Sequence, residues 1–243
     1  MLTHIHTDVS EVTNMRGAFS TWLNGNGHQN MYNFNADLSK WNTGKVTNMF
    51  GMFRCDEGTS LDHSTSYEAG DCVFNSDLTN WNTSKVTSME VMFYMCDEFN
   101  GNISSFDTSR VIRMNGMFDH AKQFNSDISN FDTSAVLTME RMFEWATAFN
   151  QNISNFDTRN VKSMAHMFTN FINYDTESSF EGHGLENFDT SSVTDMNSMF
   201  YSVTYSLSGS LSLSLSLSLS HTHTHTTLVL LALRSAHSHA QFT

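Results

Sequence analysis

Residues 99–123 read FNGNISSFDTSRVIRMNGMFDHAKQ, and the two halves of this stretch carry different apolar patterns. In the second half, Val111, Met114, Met117, Phe118 and Ala121 fall at i, i+3, i+6, i+7 and i+10. That is the spacing of one helical face and predicts a short helix or 3-10 segment. Asp107-Thr108-Ser109 in front of it supplies side-chain oxygens that open a turn or cap a helix, and Thr87 with Glu90 makes a capping box one unit earlier. In the first half, Phe99, Ile103 and Phe106 stand among polar residues, which predicts a short strand with inward apolar side chains.

The Met117-Phe118 dipeptide recurs at Met92-Phe93, Met142-Phe143 and Met167-Phe168, always 25 residues apart. Met52-Phe53 lies 40 residues before Met92-Phe93, Met199-Phe200 lies 32 after Met167-Phe168, and Ala18-Phe19 lies 34 before Met52-Phe53. Seven copies therefore run from Val12 to Phe200, with insertions near 20–33, 56–73 and 170–184. Other columns keep the register: Phe34, Phe74, Phe99, Phe124 and Phe149; Leu38, Leu78, Ile103, Ile128, Ile153 and Leu185; Trp41, Trp81, Phe106, Phe131, Phe156 and Phe188. One unit cannot bury its own apolar side, whereas stacked units cover one another. The expected fold is an α/β repeat. It is a right-handed leucine-rich-repeat-like solenoid with one short parallel strand and one short helix or 3-10 turn per 25-residue coil, about 30 Å long at the ordinary strand spacing.

Three segments follow: residues 1–8, which begin in mid-coil and read as a truncated N-terminal piece; the repeat region 9–203; and a tail over 204–243. The tail runs SLSLSLSLSLS and then HTHTHTT. Translated CT and CA dinucleotide tracts give those alternations, so disorder is expected from about residue 206. His221, His223 and His225 would share one strand face as metal ligands, but they have no neighbouring carboxylate to orient them.

Twelve Lys and Arg face twenty-five Asp and Glu, a net charge of −13, and every carboxylate lies before residue 205. Such a chain repels polyphosphate and anionic lipid, which argues against nucleic acid as a partner. The longest apolar run, Leu228 to Leu233, is far below the length of a membrane span, and residues 1–10 lack the apolar run of a signal peptide. Proline is absent, so turns must come from Asn, Asp, Ser, Thr and Gly. Cys55 and Cys72 bracket the second insertion and are candidates to bridge its base in an oxidising compartment, while Cys96 stands where neighbouring units carry Ala121 and Ala146.

The pattern FN-x-(D/N)-(L/I)-S-x-(W/F)-(N/D)-T-(S/G)-x-V-T-x-M-x-x-MF is clearest in FNSDLTNWNTSKVTSMEVMF at 74–93 and FNSDISNFDTSAVLTMERMF at 124–143. It resembles the repeat of BspA-like leucine-rich-repeat surface proteins and mycoplasma-type lipoproteins over about residues 9–203. The resemblance implies a solenoid at the cell surface or secreted, binding an extracellular or cell-surface protein or glycan. It implies no catalytic residue and no cofactor.

The residues agree with a non-catalytic reading. No nucleophile with its base, Gly-rich phosphate loop or carboxylate pair is visible, and His120 and His166 are expected at the surface. The Met column beside Phe reads as core filling rather than a soft-metal site, and the Asn-x-Asp/Asn column as an inter-coil ladder rather than a calcium loop. The predicted binding face is the exposed side of the first-half strands, with Ser104, Ser129, Ser154 and Gln151 on it and Tyr94 and Trp145 as edge anchors. The alternatives are a fragment of a larger surface protein with no ligand of its own, or an ice-binding solenoid. The latter rests on the regular Thr43, Thr83, Thr108, Thr133 and Thr158.

Overall fold

In the unit at 99–123, Asn102 and Asp107 each bend the chain by accepting an amide two residues ahead, from Ser104 and Ser109, both at 3.0 Å. Short-range bonds from the Phe106 amide to the Ile103 carbonyl and from Val111 to Thr108 close the turns that follow. The same pair of side-chain turns recurs at Asp77 and Asn82, at Asp127 and Asp132, and at Asn152 and Asp157. This is the local bonding by which Asn and Asp replace regular secondary structure. The first half of the unit is therefore built of turns, not of the predicted strand.

A computed structural model describes residues 8–21, 32–55, 72–170 and 178–201, and the backbone of 204–205 and 213–214. Residues 1–7, the parts 22–31, 56–71 and 171–177 of the three insertions, and most of the tail lie outside the described residues, with the truncation, disorder and metal readings made for them. Of the tail, Leu213–Ser214 (β2) pairs antiparallel with Thr204–Tyr205 (β1).

The parallel pairing falls in the second half of the unit, where a helix or 3-10 segment was expected. Single bridges link Asn14 to Asn48, then Ser88, Arg113, Thr138, Ser163 and Asp195, one residue per coil. Around Arg113 the amides alternate in their use. Those of Met117, Asp119 and Ala121 bond three residues back, while those of Met114, Gly116, Phe118 and His120 cross to Thr138, Glu140, Met142 and Glu144 of the next coil at 2.7–3.2 Å. A helix needs every amide for its own i−4 carbonyl, so cross-coil donation and helix exclude each other. Gly116 and His120, at φ 55° and 59°, supply the left-handed third residue that type II turns require, and that conformation stops a helix. Among the described residues the regular helix is a 3-10 turn over Leu185–Asn187.

These turns point the apolar columns inward. The Leu/Ile column from Leu38 to Leu185, the Val column from Val46 to Val193 and the Met columns led by Met89 and Met92 are almost wholly buried. Two Phe columns interlock. Phe118 lies 3.7 Å (ring centroids) from Phe124 and 5.7 Å from both Phe93 and Phe143, with planes within 9° of parallel. The arrangement continues through Phe19, Phe34, Phe53 and Phe74 at one end and Phe168, Phe180 and Phe200 at the other. Each such ring pair adds about 0.5–1.5 kcal/mol beyond burial. Phe180 carries the first Phe column past the third insertion, which displaces it from its sequence register.

Candidate functional site

The Ser row lies on turns rather than on a strand face. Ser104 is half-buried and Ser129 and Ser154 are exposed, and their carbonyls accept the side-chain amides of Asn130, Asn155 and Asn187 from the following coil. Gln151 is half-buried, with Nε2 donating to the Asn125 carbonyl and Oδ1 at 2.7 and 3.0 Å. The Asn column makes a ladder, as Asn75 Oδ1 accepts the Asn100 amide, Asn100 Oδ1 that of Asn125, and Asn125 Oδ1 that of Asn150. These residues are engaged in joining coils.

The threonines of the ice-binding alternative are at most 1 % exposed, and Thr43, Thr83, Thr108, Thr133 and Thr158 each donate Oγ1 to a carbonyl of the next coil. An ice-facing row has to be at the surface; this one is inside. Cys55 and Cys72 are not joined by a disulfide, in place of the expected bridge.

The residues that follow each Phe of the Met-Phe signal form a polar lane along one edge of the stack. Arg54, Tyr94, Asp119, Glu144 and Thr169 occupy one position, with Cys55, Met95, His120, Trp145 and Asn170 beside them. Tyr94 is 4 % exposed and His120 5 %, so neither stands at the surface as expected, and Trp145 and His166 are half-buried. The reason is stacking. The His120 ring lies 5.2 Å from that of Trp145 at an interplanar angle of 15°, and the Arg54 guanidinium sits 5.0 Å over the Tyr94 ring.

Within the lane, His120 Nδ1 is 2.5 Å from Asp119 Oδ1, and Arg141 donates to Glu144 Oε2 at 2.7 Å. Burial pushes the Asp119 carboxyl well above its usual range, against the pull of Arg141 and Arg54. Burial, then the neighbouring Asp119, lifts Glu144 to about 8. Burial holds His120 down at about 4. Burial thus works against charge on both members of the pair, and a carboxyl–imidazole hydrogen bond costs less in this setting than two buried charges. Thr21, Cys55 and Asn170 of this lane immediately precede segments 22–31, 56–71 and 171–177 in the sequence.

The bridge ladder presents a different face. Outside the buried Val column, consecutive coils expose Thr47, Thr87, Ile112, Leu137, Lys162 and Thr194. Ile112 and Leu137 are 39 % and 44 % exposed and adjacent, since the Leu137 amide bonds the Ile112 carbonyl at 2.9 Å. Arg113 is held by Glu90 at 3.2 Å, whereas Lys85, Arg110 and Lys162 make no salt bridge among the described residues.

A family model described as Mycoplasma protein of unknown function, DUF285, matches residues 5–66, 59–179 and 171–212. The chain belongs to the DUF285 family. None of the curated proteins and none of the solved structures compared matches it. The three matched stretches follow one another along the DUF285 chain, as a repeat family requires.

In this DUF285 chain sequence reasoning found Tyr94 and Trp145 of the lane but missed its buried carboxylates and the bridge-ladder face. Ile112 and Leu137 stand where other units carry Thr47, Thr87 and Thr194, and that departure is visible in the sequence once the column is known to face outward. Asp119 and Glu144 carry a weaker signal. They are charges directly beside the most regular apolar dipeptide of the repeat, a position from which burial could have been inferred.

Proposed function

We propose that this chain is a non-catalytic interaction module of the BspA-like leucine-rich-repeat surface type, a right-handed solenoid that binds an extracellular or cell-surface protein or glycan through the bridge-ladder face. The observation that carries the reading is the exposed Ile112–Leu137 pair on adjacent coils, with Lys162 next in the same column and Arg110 two residues before Ile112, in a chain whose net charge is −13. Apolar side chains left at a surface and ringed by charges are the anatomy of a contact patch. The cations select a partner that presents carboxylates or sulfates, with affinity that falls as salt rises.

The test is binding of the full chain to immobilised extracellular proteins and glycans. Saturable binding to an anionic partner is expected, weakened about tenfold or more by the double substitution Ile112→Asp and Leu137→Asp. Both residues are exposed, so the fold should survive. Absence of saturable binding, or binding that the double substitution leaves unchanged, refutes the proposal.

A further inference from the structure

The three cysteines, distant in sequence, meet in the core. Cys55 precedes the segment 56–71, Cys72 follows it, and Cys96 occupies the next coil at the position of Ala121 and Ala146. They are 2 %, 3 % and 0 % exposed, and none is in a disulfide. Cys72 is the shared member, with its Sγ donating to that of Cys96 at 3.9 Å and a hydrogen bond with Cys55 as well. Cys96 is steadied by donating to the Phe53 carbonyl at 3.0 Å. A single buried thiol behaves as a small apolar group, but three gathered around Cys72 are a nucleophilic cluster.

We propose that Cys55, Cys72 and Cys96 form a peroxide-oxidisable thiol centre in which Cys72 is the common member of every disulfide formed. The oxidant class is a hydroperoxide small enough to enter a buried site, hydrogen peroxide being the probe. The Cys72 thiolate attacks one peroxide oxygen, the O–O bond breaks, and the departing hydroxide takes up a proton, leaving a sulfenic acid and water. The sulfur of Cys55 or Cys96 then attacks the Cys72 sulfur. An S–S bond forms, the S–O bond breaks, and the hydroxyl leaves with the attacking thiol's proton as a second water. Two thiols are oxidised and one peroxide is reduced. The remaining thiol can attack the disulfide at Cys72 and displace the first partner, which moves the bond without further oxidation. Hydrogen bonding with Cys55 and then with Cys96 holds the Cys72 thiol down at about 4, consistent with its role as the attacking sulfur, while burial pushes Cys96 up. Closure onto Cys96 ties the end of the second insertion to the next coil, and closure onto Cys55 ties the insertion's two ends together.

The experiment treats the native full chain with hydrogen peroxide, alkylates residual thiols in denaturant, and maps tryptic peptides by mass. Trypsin cuts after Arg54, Lys85 and Arg110, so Cys55 and Cys72 share the peptide 55–85 and Cys96 lies in 86–110. Two thiols per chain should disappear, giving either 55–85 lighter by two hydrogens or 55–85 joined to 86–110. Cys72→Ser should form no disulfide at the same dose, whereas Cys55→Ser and Cys96→Ser should each still close one bond. The proposal is overturned if the native chain keeps three alkylatable thiols, if oxidation stops without an S–S bond, or if Cys72→Ser joins Cys55 to Cys96. Cys72→Ala, which adds no buried hydroxyl, serves as the second variant if Cys72→Ser lowers the urea midpoint.

Discussion

Glu144 and His120 set opposite slopes on the stability of the chain against pH, and their windows overlap only in part. Glu144 titrates near 4.5 when unfolded and at about 8 when folded. Between those values the folded state holds the extra proton, so stability falls as pH rises. His120 titrates near 6.5 unfolded and at about 4 folded. Between those values the unfolded state holds the extra proton, so stability rises with pH. From about 4.5 to 6.5 the two effects cancel. From 6.5 to about 8 the His120 effect is gone and that of Glu144 remains, with Asp119, whose carboxyl is also raised by burial, acting in the same sense. At about 1.4 kcal/mol per pH unit for one proton, the interval of about 1.5 units is worth about 2 kcal/mol. The perturbation that isolates it is Glu144→Gln, which keeps an oxygen acceptor for Arg141 and removes the titration. Urea unfolding at pH 5.5, 6.5 and 8.0, followed by tryptophan fluorescence, should show the native chain losing at least about 2 kcal/mol over the upper interval and the variant losing no more than the share due to Asp119. A native chain equally stable at 6.5 and 8.0, or a variant that loses as much as the native chain, refutes the assignment of a buried, protonated Glu144.

The Phe columns give a packing prediction: Phe118→Ala removes a fully buried ring stacked on Phe93, Phe124 and Phe143 and should cost about 3–5 kcal/mol by urea unfolding. The column of left-handed residues gives one of opposite sign. Ser198 has φ 54° where Gly17, Gly51 and Gly116 stand in other coils, so Ser198→Gly should raise stability by up to about 1 kcal/mol. The relieved strain of about 1–2 kcal/mol exceeds the added chain entropy of glycine. An unchanged or lower midpoint for Ser198→Gly would mean that the neighbouring coil, not the residue's own backbone preference, fixes this turn.

Sequence by itself determined the repeat, its register and the inward columns, because a 25-residue period imposes the same environment on every copy and the apolar positions show it directly. It determined as well where Asp and Asn turn the chain, since a side chain that bonds an amide two residues ahead, as Asp107 does with Ser109, needs nothing from elsewhere. Tertiary structure decided everything that depends on a partner in another coil. The spacing of Val111, Met114, Met117 and Phe118 suits a helix face and a run of turns equally well, and only the acceptors offered by Thr138, Glu140 and Met142 one coil away select the turns. The same holds for Thr108, which reads as a surface residue until its hydroxyl meets the Asp132 carbonyl. It holds also for Tyr94 and His120, which are covered by their neighbours in the lane, and for Cys72, whose contact with Cys96 crosses 24 residues of sequence. Local bonding is written in neighbouring residues; burial and cross-coil bonding exist only once the coils are stacked.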